Sequence, residues 1–325
     1  MLSRKTHFVL GCCLFTLAAD AVLASQNKTT DMNVELESGY GYDTNLGIEE
    51  LDRASSNSDE ALLLGAKVDG SWRALSALTL TGGYQLKSRD YREMDAFDIL
   101  THLIQGGVRY DLDGYSLGGT FHYAEARLDG DDFVQIRQPS LSVGKLVNDQ
   151  WYWRVALSEQ RKSFAALPHR DADNQSIGGD LYYFHEPDNY LSLSVATMDE
   201  KAATEAFDYQ GWRMRVQWSR EFDWQQLKPA LQVSWQHGRR DYGEQGATAP
   251  GAGNELPIFA DLSGATTTPG ASRDDRIDNL NLALELPLNQ LFSVVGQVQY
   301  SDHQSSVATW SYDKTLFALS AKMRF

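Results

Sequence analysis

The last ten residues, "LFALSAKMRF", alternate strictly. Phe317, Leu319, Ala321, Met323 and Phe325 fall on one face of an extended chain, and Ala318, Ser320, Lys322 and Arg324 on the other. The same two-residue period returns along the whole chain. "VELESGYGY" sets Val34, Leu36, Tyr40 and Tyr42 against Glu35, Glu37, Gly39 and Gly41, and "LLLGAKVDGSW" sets Leu62, Leu64, Val68 and Trp72 against Lys67, Asp69 and Ser71. "LTLTGGYQL", "IQGGVRYDL", "YSLGGTFHY", "WYWRVALS", "IGGDLYYF", "YLSLSVAT", "WRMRVQWS", "LQVSWQ", "LNLALEL" and "FSVVGQVQY" repeat it, with a less regular copy at "QPSLSVGKL". The count comes to about 14 segments, many near the roughly 9–11 residues of a membrane-crossing strand.

An apolar stripe on every strand, with charges between, leaves no second layer to cover it in water. Soluble sandwiches use strands of about 5–6 residues, shorter than these. Helical membrane spans are excluded, because no segment past the amino end approaches the ~18 apolar residues they need. Mean hydropathy is accordingly negative, at -0.41. Hydrocarbon is the remaining cover, and it demands that every backbone N–H and C=O be paired between strands in a ring without edges. The expected fold is all-β, a transmembrane antiparallel up-and-down β-barrel of about 14 strands with both termini in the periplasm.

The amino end agrees with export. Arg4 and Lys5 precede the apolar run "FVLGCCLFTLAA" and the small residues of "DAVLAS", the three regions of a secretory signal peptide over residues 1–24, with cleavage after Ala21 or Ala24. A lipidated Cys12 in "VLGC" would leave only Phe8–Gly11 as the apolar stretch, too short for such a leader. Both cysteines, Cys12 and Cys13, leave with the leader, so residues 25–325 form a cysteine-free barrel. The expected location is the bacterial outer membrane.

Short connections such as "RALSA", "LDG", "VNDQ", "HEPDN" and "PLNQ" alternate with longer polar ones, the asymmetry of periplasmic turns and extracellular loops. The long loops are expected near 43–60, 88–97, 125–132, 163–174, 199–206, 241–275 and 302–309. Trp72, Tyr110, Trp151, Tyr183, Trp218 and Trp235 are expected in the aromatic girdles at the membrane boundaries.

The face opposite the stripe predicts a wet lumen of mixed sign. Its pore-lining candidates are Glu35, Glu37, Lys67, Asp69, Arg109, His122, Arg154, Arg213, Arg215, Lys322 and Arg324. Arg213 and Arg215 are neighbours on one face of "WRMRVQWS", a basic wall of the kind that sets selectivity in pores, or else part of structural ion pairs that fill a narrow barrel.

Catalytic patterns are absent: no G-x-S-x-G, H-E-x-x-H, C-x-x-C or P-loop occurs. "HRDAD" offers His169 with Asp171 or Asp173 for a rim hydrolase, against the plainer reading of a solvated loop. "DGDD" at Asp129–Asp132 lacks the full spacing of a calcium loop. No enzymatic activity, cofactor or metal is expected, nor a nucleic-acid partner for a chain of formal charge -15.

Five stretches, "GYGYDTNLG", "DNQSIGGDLYYF", "FDYQGWRMRVQWS", "RDDRIDNLNLALELPL" and "YSDHQSSVATWSYDKTLFALSAKMRF", resemble the barrel part of surface lipoprotein assembly modifiers. The resemblance spans most of the mature chain and implies no catalytic residue. Members that move lipoproteins carry a periplasmic helical-repeat domain before the barrel, whereas here the first strand begins within about ten residues of the cleavage site. Phe325 after its alternating stripe resembles the signal read by the barrel assembly machinery, which with membrane lipid and lipopolysaccharide makes up the expected partners. The expected function is a pore or export channel for small polar solutes or a secreted polymer or lipoprotein. The alternative is a non-conducting structural or adhesion barrel that uses its acidic outer loops.

Overall fold

The computed structural model describes residues 30–186, 188–224, 227–243 and 272–325. The expected leader at 1–24 lies outside these residues, as does most of the expected loop at 241–275.

Among the described residues sixteen strands occur in chain order. The first four are β1 (Thr30–Asp43), β2 (Gly47–Ile48), β3 (Arg53–Ala54) and β4 (Asp59–Leu75). Then come β5 (Leu78–Tyr91), β6 (Ile99–Leu112), β7 (Tyr115–Leu128), β8 (Asp131–Val147), β9 (Trp151–Phe164) and β10 (Ala172–Glu186). The chain closes with β11 (Asn189–Ala202), β12 (Tyr209–Glu221), β13 (Ala230–Asp241), β14 (Asp274–Pro287), β15 (Phe292–Ser305) and β16 (Tyr312–Arg324). All but β2 and β3 join one antiparallel ring of fourteen strands in sequence order, closed by β1 pairing with both β4 and β16.

Register explains the alternating stripes. Tyr40 sits between Leu319 and Leu62, and Leu36 between Met323 and Ala66, so the apolar side chains of neighbouring strands line one outer surface. On that surface Leu36, Tyr40, Leu62, Phe317 and Leu319 are exposed, the state expected of groups whose solvent is lipid. The terminal Phe325 is outward too, and its backbone N–H donates to Val34 O at 2.9 Å, carrying the closing seam to the end of the chain. Trp72, Tyr110, Trp151, Tyr183 and Trp218 lie near the periplasmic ends of their strands. Trp235 does not: it is the sixth residue of β13 and stacks against His237 at 5.9 Å, so it belongs to the middle of the wall.

Turn chemistry sets the hairpins. Asp113 and Gly114 between β6 and β7 have φ of 47° and 81°, and Asn148 and Asp149 after β8 have 53° and 55°, the left-handed pairs that match strand twist. Asp129 and Gly130 show the same signature, 52° and 79°, which corrects one expectation. Residues 125–132 are no long outer loop but two strands meeting in a two-residue turn, with Arg127 Nε 3.2 Å from Asp132 Oδ1. The strands also run further outward than the alternation alone indicates, β5 to Tyr91 and β15 to Ser305.

Four outer connections share one local design. A single 3-10 turn, Asp95–Phe97, Pro168–Arg170, Glu205–Phe207 or Ala308–Trp310, is followed by Asp98, Asp171, Asp208 or Ser311. Each of these side chains accepts the backbone N–H at or next to the preceding strand's end: Tyr91 at 2.6 Å, Phe164 at 2.7 Å, Ala202 at 2.7 Å and Ser305 at 2.9 Å. The turns bury Phe97, Phe207 and Trp310 at the outer mouth.

Candidate functional site

Strand parity puts Glu35, Glu37, Lys67, Asp69, Arg109, His122, Arg154, Arg213, Arg215, Lys322 and Arg324 on the face opposite the lipid-exposed stripe, around the inside of the ring. They are not one cluster. Toward the periplasmic end, Glu35 receives Asn33 Nδ2 at 3.0 Å and lies 3.2 Å from Arg324 Nε, while Lys322 Nζ is 3.4 Å from Glu285 and 3.8 Å from Glu35. Lys67 pairs with Asp69 at 2.8 Å, and Arg109 Nε lies 3.4 Å from Asp111. This part of the wall is an alternating lattice of charge in which carboxylates and cations neutralise one another.

Farther round, Arg154 donates from Nε and Nη2 to Asp180 Oδ2 at 2.9 and 2.7 Å, and Ser194 Oγ donates to Asp180 Oδ1 at 2.6 Å. Both charged side chains are buried, so the pair is held by geometry that leaves few alternatives. His122 stands opposite Gln138 in register, and its Nδ1 is buried without a hydrogen-bond partner among the described residues.

Arg213 and Arg215 follow one another along the inner face of β12, with Arg215 Nη2 donating to Gln236 Oε1 at 2.5 Å. Lys87 and Arg89 occupy the inner face of β5. In a ring of fourteen, β5 and β12 stand seven strands apart, which sets the two basic pairs on opposite walls. The sequence pointed to the arginines of β12 and, by the alternation in "GYQLK", to Lys87 on the inner face, but not to Arg89, which joins it once β5 is known to continue to Tyr91.

The outer mouth holds the largest assembly, and sequence reasoning missed it. Residues 44–58 connect β1 to β4 and turn inward instead of outward. Leu46, Ile48 and Leu51 pack with Phe97, Phe133, Phe164 and Leu167 from the β5 to β10 side of the ring. Each such burial contributes roughly 1.5–3 kcal/mol. On the other side, Asp52, left-handed at φ 54°, accepts Arg240 Nη1 at 2.8 and 2.9 Å through its two oxygens. Arg273 Nη2 is 4.0 Å from the same carboxylate.

Arg273 is itself sandwiched. Its guanidinium lies 4.0 Å from the Tyr242 ring centre and 3.9 Å from that of Trp310, and it pairs with Asp275, which also meets His303 Nε2 at 3.0 Å. Arg53 covers Trp310 at 4.5 Å, and Arg170 donates to Leu51 O at 3.3 Å while lying over Phe207. Burial raises the Asp52 carboxyl, but Arg240, His303 and Arg273 outweigh it and hold that group well below the usual carboxylate range.

The motifs weighed for chemistry are spent on structure. Asp171 accepts the Phe164 N–H, Asp173 pairs with Arg161 at 2.6 Å, and the His169 ring lies 5.9 Å from that of Phe207. Asp129–Asp132 forms the tight turn described above. Among the described residues no group of His, Cys, Asp and Glu is placed to hold a metal ion.

A closed up-and-down barrel with a lipid-facing apolar surface and a charged interior defines an integral protein of the bacterial outer membrane. The chain belongs to the surface lipoprotein assembly modifier family, whose model matches residues 24–325. No curated protein matches it in sequence. Among solved structures, outer-membrane expressed OmpT of Vibrio cholerae is similar with a TM-score of 0.50 at 10% identity, over 92% of this chain and 99% of that one. An anion-selective porin from Comamonas acidovorans gives 0.47 at 9% identity, covering 91% and 99%. A bacterial polysaccharide outer membrane secretin gives 0.43 at 9%, covering 90% and 98%. At these identities the likeness concerns the fold alone.

Proposed function

We propose that this barrel is a conduit across the outer membrane that serves the surface assembly of a lipoprotein, with a lumen that favours anionic groups. The observation that carries the reading is the pair of basic walls, Lys87 and Arg89 facing Arg213 and Arg215, inside a chain whose formal charge is -15. A lumen that keeps cations on opposing walls attracts anionic groups and repels cations. Membership of the surface lipoprotein assembly modifier family supports a lipoprotein as the cargo class in this reading. In this reading Glu35, Glu37, Lys67, Asp69, Arg109, His122, Arg154, Lys322 and Arg324 line the path with Arg213 and Arg215. Phe325 serves as the signal for the barrel assembly machinery, and the protein carries out no covalent chemistry.

A second reading, a non-conducting structural or adhesion barrel, is favoured by the mouth, where Leu46 is fully buried in a packed cluster. Bilayer recording separates the two. The refolded protein is expected to conduct, during its openings, with anion preference, and Arg213→Ala/Arg215→Ala to shift that preference toward cations severalfold. Unchanged selectivity in the variant removes the basic wall from the account, and no current from correctly folded protein favours the structural barrel.

A further inference from the structure

We infer that residues 44–58 form a displaceable strap that gates the lumen at its outer end, an inference that rests on the conduit reading. The strap keeps its own hydrogen bonds. Gly47 pairs with Ala54 and Ile48 with Arg53, Leu46 N donates to Asn57 O at 2.9 Å, and Ser55 N donates to Leu46 O at 2.6 Å. Its root is fixed separately: Thr44 N donates to Thr315 O at 3.0 Å, and the buried Asp43 carboxylate meets Lys314 at 2.8 Å and the Tyr91 hydroxyl at 3.0 Å. A hairpin that is paired within itself swings as a unit from such a root without breaking its ladder.

The grips that hold it closed are of two kinds on two walls. Leu46, Ile48 and Leu51 grip an apolar patch, and Asp52 grips Arg240 and Arg273. A permanent plug gains little from an ion pair taken out of water, because apolar contact at the same place avoids the desolvation cost. An ionic clasp has a different property. A charged segment arriving in the lumen exchanges partners with Asp52 or Arg240, so neither is left bare as the strap lifts. The exposed Glu49 and Glu50 of the strap stand within the electrostatic reach of Arg89 on β5 and Lys162 on β9, both on the inner face, so the strap also presents charge to whatever occupies the lumen.

The absence of cysteine after Cys13 makes the test direct. Asp52→Cys/Arg240→Cys removes the clasp and permits a short cleavable bis-maleimide to replace it, beside a control in which residues 46–56 give way to a short Gly-Ser linker. Planar-bilayer open probability is expected to rise roughly tenfold or more over wild type in the uncross-linked pair and in the control. Cross-linking should silence the pair, and cleavage of the linker should restore its current. A cross-linked protein that conducts like the uncross-linked one overturns the gate and leaves the conduit standing, as does a wild type that conducts as freely as the strap-shortened control. Silence from every form, strap-shortened protein included, overturns gate and conduit together.

Discussion

Asp52, carried by the first outer loop, meets Arg240 of β13 with both carboxylate oxygens within 2.9 Å of one guanidinium nitrogen. The contact joins residues 188 positions apart and ties the loop to the wall away from its apolar grip. Asp52→Asn keeps the shape and removes the charge, so the strap should loosen while the barrel stays folded. Arg53, buried beside Trp310 in the closed strap, becomes a trypsin site in that case. Brief trypsin treatment of intact cells should cleave the Asn variant near residue 53 several times faster than wild type, with equal amounts of heat-modifiable barrel on gels.

The same carboxylate fixes a pH dependence. Its folded pKa lies below its unfolded value of about 3.9, so the stability it contributes is fully present above that value and is lost only as pH falls through the depressed folded one. With Glu50 replaced by Gln, so that only the Asp52 contribution is read, trypsin resistance of the strap should therefore be the same at pH 7 and pH 5, apart from the protease's own pH response measured on a control substrate. Loss of resistance between those values removes Asp52 as the clasp.

Glu50 works in the opposite sense. Its setting inside the barrel and the neighbouring Glu49 push it up to about 7, with Asp52 adding to the rise and Lys162 of β9 opposing it. A carboxyl that takes a proton more readily when the strap is shut favours closure below that pKa and opposes it above. Open probability should climb between about pH 5 and pH 8, and Glu50→Gln should flatten the climb. Lumen water reaches this side chain, which keeps the expected change modest.

Within the wall, Asp180→Ala strips the buried Arg154 of its carboxylate. The cost is roughly 3–5 kcal/mol, the usual penalty for breaking such a pair from one side. Heat-modifiability should shift to a lower temperature, and an unchanged transition would show that water replaces the carboxylate in full.

The closing seam has its own weak point. A methyl group on Gly39 would lie 2.8 Å from the Leu319 carbonyl oxygen and closer still to Ser320 Oγ, across the β1 to β16 pairing. Gly39→Ala should cost about 1–3 kcal/mol through strain at this seam. Gly106→Ala, where an added carbon meets nothing within 4 Å, should cost much less, and the pair can be compared by the temperature of gel-mobility change.

The barrel was legible because a two-residue period survives any local irregularity: Leu36, Tyr40 and Phe317 mark their faces whatever their partners. Parity also assigned Arg213 and Arg215 to the inside. The mouth was opaque for a different reason. Leu46, Ile48 and Leu51 sit in "NLGIEELDRA", a stretch with no strand period, and their partners Phe133, Phe164 and Leu167 lie far along the chain. One signal was present in "DAFD", "PHRD", "EAFD" and "ATWS", a recurring turn ended by Asp or Ser, which identifies Phe97, Phe207 and Trp310 once the strand ends are known. At Asp129–Gly130 the turn chemistry was legible as well, and the expected alternation of short and long connections hid it.

The hydrated basic wall is the claim on which the conduit depends, and single cysteines test it. Arg215→Cys and Leu193→Cys sit on neighbouring strands with opposite parity, Leu193 exposed on the lipid side. Labelling of cells with a small, water-soluble maleimide is expected to modify position 215 quickly and position 193 hardly at all. Equal labelling, or labelling of 193 alone, would contradict a water-filled lumen with its basic wall on β12.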